Sequence, residues 1–206
     1  MIGWNPLQFL QMPMLDDTNY ATLSDKDLLA QVIGRRGAEQ LYCGSFASLY
    51  ADSVRPTKHH MRLYAAREIF KRMLVEEMRE QPVLSSPNAM RDYLRLHYAG
   101  QEFESFAALY LDVQHRLIAI EDLFRGTLMH APVFPREMVK RALRWNAAAV
   151  VISHNHPSGG PEPSDADRYL TKVLRDALAL VDVRVLDHFV IADMTAVSFA
   201  ENGWIR

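Results

Sequence analysis

The chain is poor in the residues that mark special classes of protein. Its 206 residues include one cysteine, Cys43, so no internal disulfide can form and no cysteine-rich zinc ribbon can be built. That usage suits a reducing, cytoplasmic setting. The first 25 residues hold no Lys or Arg, so the apolar start MIGWNPLQFLQMPML lacks the basic flank of a secretory signal, and Pro6 and Pro13 interrupt it. No run of 18 apolar residues occurs, which leaves nothing to span a membrane. Nine glycines and ten prolines are too few for a low-complexity chain. Excess charge is missing too: 23 Lys and Arg stand against 25 Asp and Glu, for a net charge of -2. The balance hides no opposed halves, with ten basic and ten acidic residues over 1–86 and thirteen and fifteen over 87–206. A strongly basic nucleic-acid binder is disfavoured, although a local basic stripe is compatible with these counts.

What is present is an ordinary globular composition, 49% hydrophobic and 23% charged. The length suits one large domain, or a medium domain with a small partner. After an irregular lead-in over residues 1–20, LSDKDLLAQVIG predicts a helix capped by Ser24 and closed near Gly34. AEQLYCGSFASLY predicts a second helix, weakened by Gly44. HHMRLYAAREIFKRMLVEEMRE predicts a longer one, on which Met61, Ala65, Ile69 and Met73 recur every four residues as a packed face. His59 and His60 read as exposed histidines at its start. The proline- and serine-containing stretch that follows reads as a linker. The expected organisation is a helical domain over 1–80, a linker over 81–86 and a second domain over 87–206.

In the second domain, Ser86 and Pro87 cap and open a helix reaching about Tyr98. FAALYLDV and RLIAIEDLF predict two short buried strands, with Gln114 and His115 near the turn between them. Pro135 opens the helix PREMVKRALRWN, where Arg136, Lys140 and Arg144 form a basic stripe that reads as a solvated face. Glu137 and Arg141 stand at ion-pair spacing on it. AAAVVIS is a wholly apolar run that suits a central strand ending at His154. A Gly/Pro-rich loop then leads to Ser164 and the helix SDADRYLTKVLRDALAL, and VRVL, HFVIAD and AVSFA predict three short strands. Helices first and a mixed unit afterwards give the fold class α/β (α+β), preceded by a small all-α domain.

The chemistry sits in SHNHPSGGPEPSDAD. His154 and His156 alternate at the end of an apolar strand, so both imidazoles project to one side of it. Asp167 follows in the first turn of the next helix. A strand end, a glycine loop and a helix start can bring two nitrogens and a carboxylate oxygen around one point. Zn2+ accepts that ligand set, and three protein ligands leave a position for water, as in catalytic sites. The plainer alternative is a pair of loop histidines beside a Ser164/Asp167 capping pattern, and cap and ligand are compatible.

The motif HNHPSGGPEPSDAD resembles the JAMM (MPN-type) metalloprotease signature. Residues 85–206 are similar to the JAMM domain of the bacterial RadC family through ESFAALYLDVQHRLIAIEDLFRGTL, FPREMVKRALRWNAAAVVISHNHPSG, EPSDAD and RVLDHFVIAD. The resemblance implies a cytidine-deaminase-like mixed sheet flanked by helices, with one Zn2+ per chain on His154, His156 and Asp167. It implies hydrolysis of an amide bond in a peptide or protein substrate, and a glutamate that accepts a proton from the metal-activated water. Glu102 and Glu104 compete for that role, and the family's pattern in ESFAALYLD favours Glu104. Ser164, by the same carry-over, donates to the developing oxyanion. Asp187 and His188 also match the family. They read as structural residues at a strand end, with a contact to a metal-binding histidine as the other option. Asn155 points to the opposite side of its strand and is assigned no chemistry.

The N-terminal part is similar to the same family through LSDKDLLAQVIG, but it departs where relatives carry a Gly-x-Gly hairpin turn. Val54 and Pro56 stand there instead; neither tolerates positive φ, and proline has no N–H to offer a phosphate. Together with the neutral charge, this argues against conventional hairpin binding to DNA. A DNA-associated protein with a non-proteolytic zinc site is the rival class. An iron facial triad usually sits in a many-stranded barrel, and this chain has too few strands for one. Nucleoside deamination lacks its paired cysteines, because Cys43 stands alone.

Overall fold

The computed structural model describes residues 20–43, 56–85, 87–125, 133–157, 159–193 and 195–205. The chain divides into two compact units, residues 1–42 and residues 43–206. This division falls earlier than the expected linker. In the first unit, α1 (Asp25–Ile33) is capped by Ser24, whose Oγ accepts the Asp27 N–H, and it closes at Gly34 with φ 82°. Positive φ at that position costs glycine little, which is why the helix stops there. The second helix, α2 (Arg35–Leu41), starts three residues before the stretch expected from sequence and ends before Gly44. Tyr42 caps it and Cys43 is not helical; from Gly44 on, the remainder of the expected helix lies outside the described residues, as does Val54.

The second unit opens with α3 (Lys58–Glu80) and α4 (Pro87–Tyr98). The Thr57 N–H donates to Nδ1 of His60, so His60 closes a capping box and is buried, contrary to the expectation of an exposed histidine. The expected packed stripe on α3 is also corrected. Met61, Ile69 and Met73 are each 58–59% exposed, and Ala65 is exposed as well. The face that packs carries Leu63 and Met78, with Leu74 and Val75 partly buried. Arg67 and Lys71 interrupt it: Arg67 donates to the Ala99 carbonyl, and Lys71 lies 3.2 Å from His97. Long cationic stems cover apolar surface while their heads find polar partners, so a count of apolar letters selects the wrong side of this helix.

The expected linker is a turn held inside the unit. Val83 is 1% exposed, and its N–H donates to the His115 carbonyl at 2.9 Å. Ser86 lies outside the described residues.

Five strands form one mixed sheet in the order β2-β1-β3-β4-β5. β1 (Ser105–Leu111) and β2 (Leu117–Arg125) are antiparallel neighbours joined through a turn that holds His115 at φ 61°. After α5 (Pro135–Arg144), the wholly buried strand β3 (Ala149–Asn155) runs antiparallel to β1 and parallel to β4 (Arg184–Ala192), with α6 (Asp165–Ala179) as the crossover. β5 (Thr195–Ser198) closes the far edge. VRVL and HFVIAD, expected as two strands, are one. Asp187 and His188 read as polar punctuation, yet both are buried.

Alternation splits the core between the two faces of the sheet. Ala107, Leu109, Leu111 and Val151 meet α3 and α4, whereas Phe106, Tyr110, Val150 and Ile152 meet α5 and α6. On α5 the expected Glu137–Arg141 pair gives way to another arrangement. Arg141 reaches across to Glu121 on β2 at 2.6 Å, Trp145 donates to the same carboxylate, and Lys140 takes Glu137. No helix among the described residues is long and apolar enough to cross a membrane.

The packing side of α3 is testable by a matched pair of truncations. Met78→Ala is expected to cost about 2–5 kcal/mol, and Met73→Ala to stay within about 0.5 kcal/mol, both read by chemical denaturation.

Candidate metal centre

The end of β3, the loop after it and the first turn of α6 meet at one point. His154 and His156 project from the face of β3 that packs on α6. Their Nε2 atoms are 2.9 Å apart. Oδ1 of Asp167 lies 3.1 Å from Nε2 of His154, and Oδ2 lies 3.5 Å from Nε2 of His156. These three residues form a group able to hold a metal ion among the described residues. Four-coordinate zinc, with bonds of about 2.0–2.1 Å, sets ligand atoms about 3.3–3.4 Å apart. The observed separations of 2.9, 3.1 and 3.5 Å bracket that spacing. The donor set therefore fits a small divalent cation.

Each of the three side chains is held from behind. The ring of His154 stacks on Phe106, with centroids 6.3 Å apart and planes 11° from parallel. His156 gives its Nδ1–H to the Gly160 carbonyl at 2.7 Å, which turns Nε2 towards the common point. The loop reaches that carbonyl through a turn in which Gly159 N–H meets the His156 carbonyl and Gly159 takes φ 84°, a conformation that suits glycine. Asp167 is clamped by the capping box of α6. Its Oδ2 accepts the Ser164 N–H at 2.8 Å and the Ser164 hydroxyl at 2.6 Å. Side-chain exposure rises from 2% at His154 to 13% at Asp167 and 18% at His156, so the open edge lies on the His156 side.

The electrostatics follow from that grouping. Burial pushes the Asp167 carboxyl up, but the hydrogen bonds with His154 and His156, the charge of His154 and the Ser164 hydroxyl outweigh it, so the group is held well below the usual carboxylate range. Hydrogen bonding to Asp167 raises the pKa of His156. Burial opposes the rise, and the Gly160 carbonyl with the charges of Asp167 and Glu104 adds to it.

That last influence separates the two glutamates. Phe106 pairs with His154 at the end of the β1–β3 ladder, and Glu104 lies two residues before it, just outside β1. Glu104 is half-buried and its charge acts on His156, whereas Glu102 is exposed. Ser164 is found as the cap of α6, with its hydroxyl proton on Asp167 rather than turned to the open edge.

Three residues matter more than the sequence indicated. Asn155 holds the segment bearing Glu104 from both sides: its Oδ1 accepts the Ser105 N–H at 2.8 Å, and its Nδ2 donates to the Phe103 carbonyl at 3.0 Å. His188 lies with Nε2 2.8 Å from Nδ1 of His154 and Nδ1 2.6 Å from the Thr171 hydroxyl. The signal for Thr171 was its position one helical turn after Asp167, on the same face. Asp187 is occupied elsewhere, accepting from the Ser198 hydroxyl, the Ala200 N–H and the His188 N–H. It braces the β4–β5 end of the sheet and does not reach His154, His156 or Asp167.

Asn155→Ala is expected to strip the Ser105 amide of its buried acceptor. A cost of about 1–3 kcal/mol would appear as faster hydrogen exchange at that amide, with the Leu109 amide as an internal control.

The profile of the RadC-like JAB domain family matches residues 84–204. The chain is 50% identical over 188 residues to a UPF0758 protein of Thiobacillus denitrificans, covering 90% of this chain and 84% of that one. It is 54% identical over 202 residues to a UPF0758 protein of Janthinobacterium sp., covering 89% and 90% of the two chains. A UPF0758 protein of Chromobacterium violaceum is 45% identical over 203 residues, covering 90% and 91%. The matched span holds all five strands and every residue of the centre, and on that ground the chain belongs to the RadC-like JAB domain family.

Proposed function

We propose that this chain is a zinc-dependent hydrolase of amide bonds, acting on a peptide or isopeptide linkage. The observation that carries the reading is the convergence of His154, His156 and Asp167 at 2.9–3.5 Å, with the charge of Glu104 acting on His156. Two nitrogens and one oxygen suit zinc better than calcium or magnesium, which prefer oxygen ligands. Zinc bound there supplies Lewis-acid activation of a water and of a carbonyl oxygen.

The chain's own residues supply the remaining steps. Glu104 takes a proton from the attacking water and returns it to the leaving amine. Phe106 and the buried side of His154 exclude bulk water from the inner edge. Ser164 places two donors on one carboxylate oxygen. Its N–H suffices to hold Asp167, so its hydroxyl is the donor that can turn to a developing oxyanion.

Glu104→Gln is expected to keep one zinc per chain by elemental analysis while losing about 10²–10⁴-fold in cleavage rate on a peptide library. Wild-type cleavage is expected to stop with chelator and return with zinc. Wild-type cleavage by the zinc-loaded Glu104→Gln chain removes Glu104 from the reaction, and chelator-insensitive cleavage removes the metal.

Zinc uptake is also expected to depend on pH with a definite sign. His156 must shed its proton to bind, and its raised pKa means that the proton competes from a higher pH than usual. Asp167, held low, stays ionised. Affinity is therefore expected to fall as pH falls through the pKa of His156, by about tenfold per pH unit for one displaced proton. Chelator competition across pH, with proton release followed alongside, measures both.

A further inference from the structure

We infer that His188 and Thr171 are positioning residues: they fix the tautomer of His154, so that its Nε2 lone pair is presented to a metal ion. The inference rests on the metal reading above and adds to it the source of the ligand's orientation.

The direction of each hydrogen bond follows from which atoms own a proton. The Thr171 Oγ1 lies 2.6 Å from the Asp167 carbonyl oxygen. A carbonyl cannot donate, so the single hydroxyl proton of Thr171 is spent there. Towards Nδ1 of His188, also 2.6 Å away, the hydroxyl can then only accept. His188 therefore carries a proton on Nδ1. Its ring is wholly buried, edge-on to Phe106 at 5.9 Å and stacked on Phe199 at 4.6 Å, and no carboxylate is among its side-chain contacts in the described residues. A neutral ring with Nδ1 protonated has a bare Nε2, and that atom faces Nδ1 of His154 at 2.8 Å. The proton of that bond belongs to His154 Nδ1, so once the ring is neutral, as binding a metal requires, Nε2 carries the lone pair.

His156 arrives at the same state by a separate route, through the Gly160 carbonyl. Both ligand nitrogens are thus Nε2, and both rings are held by an acceptor at Nδ1. The relay also closes on itself. Asp167 supplies the side-chain oxygen of the centre, and its backbone carbonyl, through Thr171 and His188, sets the first histidine. One turn of α6 consequently orients two of the three ligands.

Histidine tautomers read by ¹⁵N–¹H long-range correlation, in metal-free and zinc-loaded protein, test the assignment directly. The expected result is His188 protonated on Nδ1 and bare at Nε2 in both states; a proton on Nε2 of His188 overturns it. The second arm measures zinc affinity by chelator competition for Thr171→Val and Thr171→Ser, which are surface-distant from solvent but avoid altering the buried imidazole itself. Thr171→Val is expected to bind zinc roughly ten- to a hundredfold more weakly, and Thr171→Ser, which keeps the hydroxyl, to stay within about threefold of wild type. Equal affinity of Thr171→Val and wild type overturns the inference alone, as does equal weakening by both variants. A wild-type chain that takes up no zinc overturns the metal reading and this inference with it.

Discussion

Two imidazole nitrogens with no bulk water between them, facing a carboxylate that is only partly exposed, make an expensive arrangement unless a positive charge lies among them. Each of the three side chains is held there by a partner that could have been spared at an ordinary strand end: a second histidine, a loop carbonyl, and the two donors of a helix cap. The sheet makes this affordable. β3 is buried along its whole length between β1 and β4, so the position of His154 is set by ladders on both sides. The parallel pairing of β3 with β4 requires a crossover, and that crossover is the helix whose first turn brings Asp167. Ligands in α/β sheets gather at the carboxyl ends of parallel strands for the same topological reason.

Much of this was legible beforehand. The apolar run into His154, the two-residue alternation with His156 and the Ser164/Asp167 cap specify strand, face and helix start, and all three recur in the structure as read. The resemblance in ESFAALYLD pointed to Glu104 over Glu102. What stayed hidden were side chains whose importance lies in a partner distant in sequence. His188 sits 34 residues from His154 in the chain, and its letters Asp-His looked like the end of a strand. Asn155 was set aside because alternation turns it away from the side of the strand that carries His154. Turning away is how it reaches the backbone on either side of Glu104.

The helical part was harder to read for a physical reason. Helix α3 has two candidate faces, and the one richer in methionine and isoleucine is the one left exposed. The packed face includes an arginine and a lysine whose stems are apolar and whose heads meet a carbonyl and a histidine. Periodicity counts residue types, whereas packing depends on which atoms of each residue are buried. The same effect moved the unit boundary: once α3 supplies Met78 to the core beside Val83, the turn after it becomes interior to the second unit.

The three side chains of the candidate centre differ in what they are tied to. His154 is anchored through the sheet and Asp167 through a helix turn, but the ring of His156 is steered by a carbonyl belonging to the glycine turn that follows it. One side of the centre thus inherits the stiffness of β-structure and helix, and the side facing solvent inherits that of a short turn. A molecule pressing on that turn would tug on the ring of His156 before it touched either of the other two, so grip and access share a single hinge of backbone.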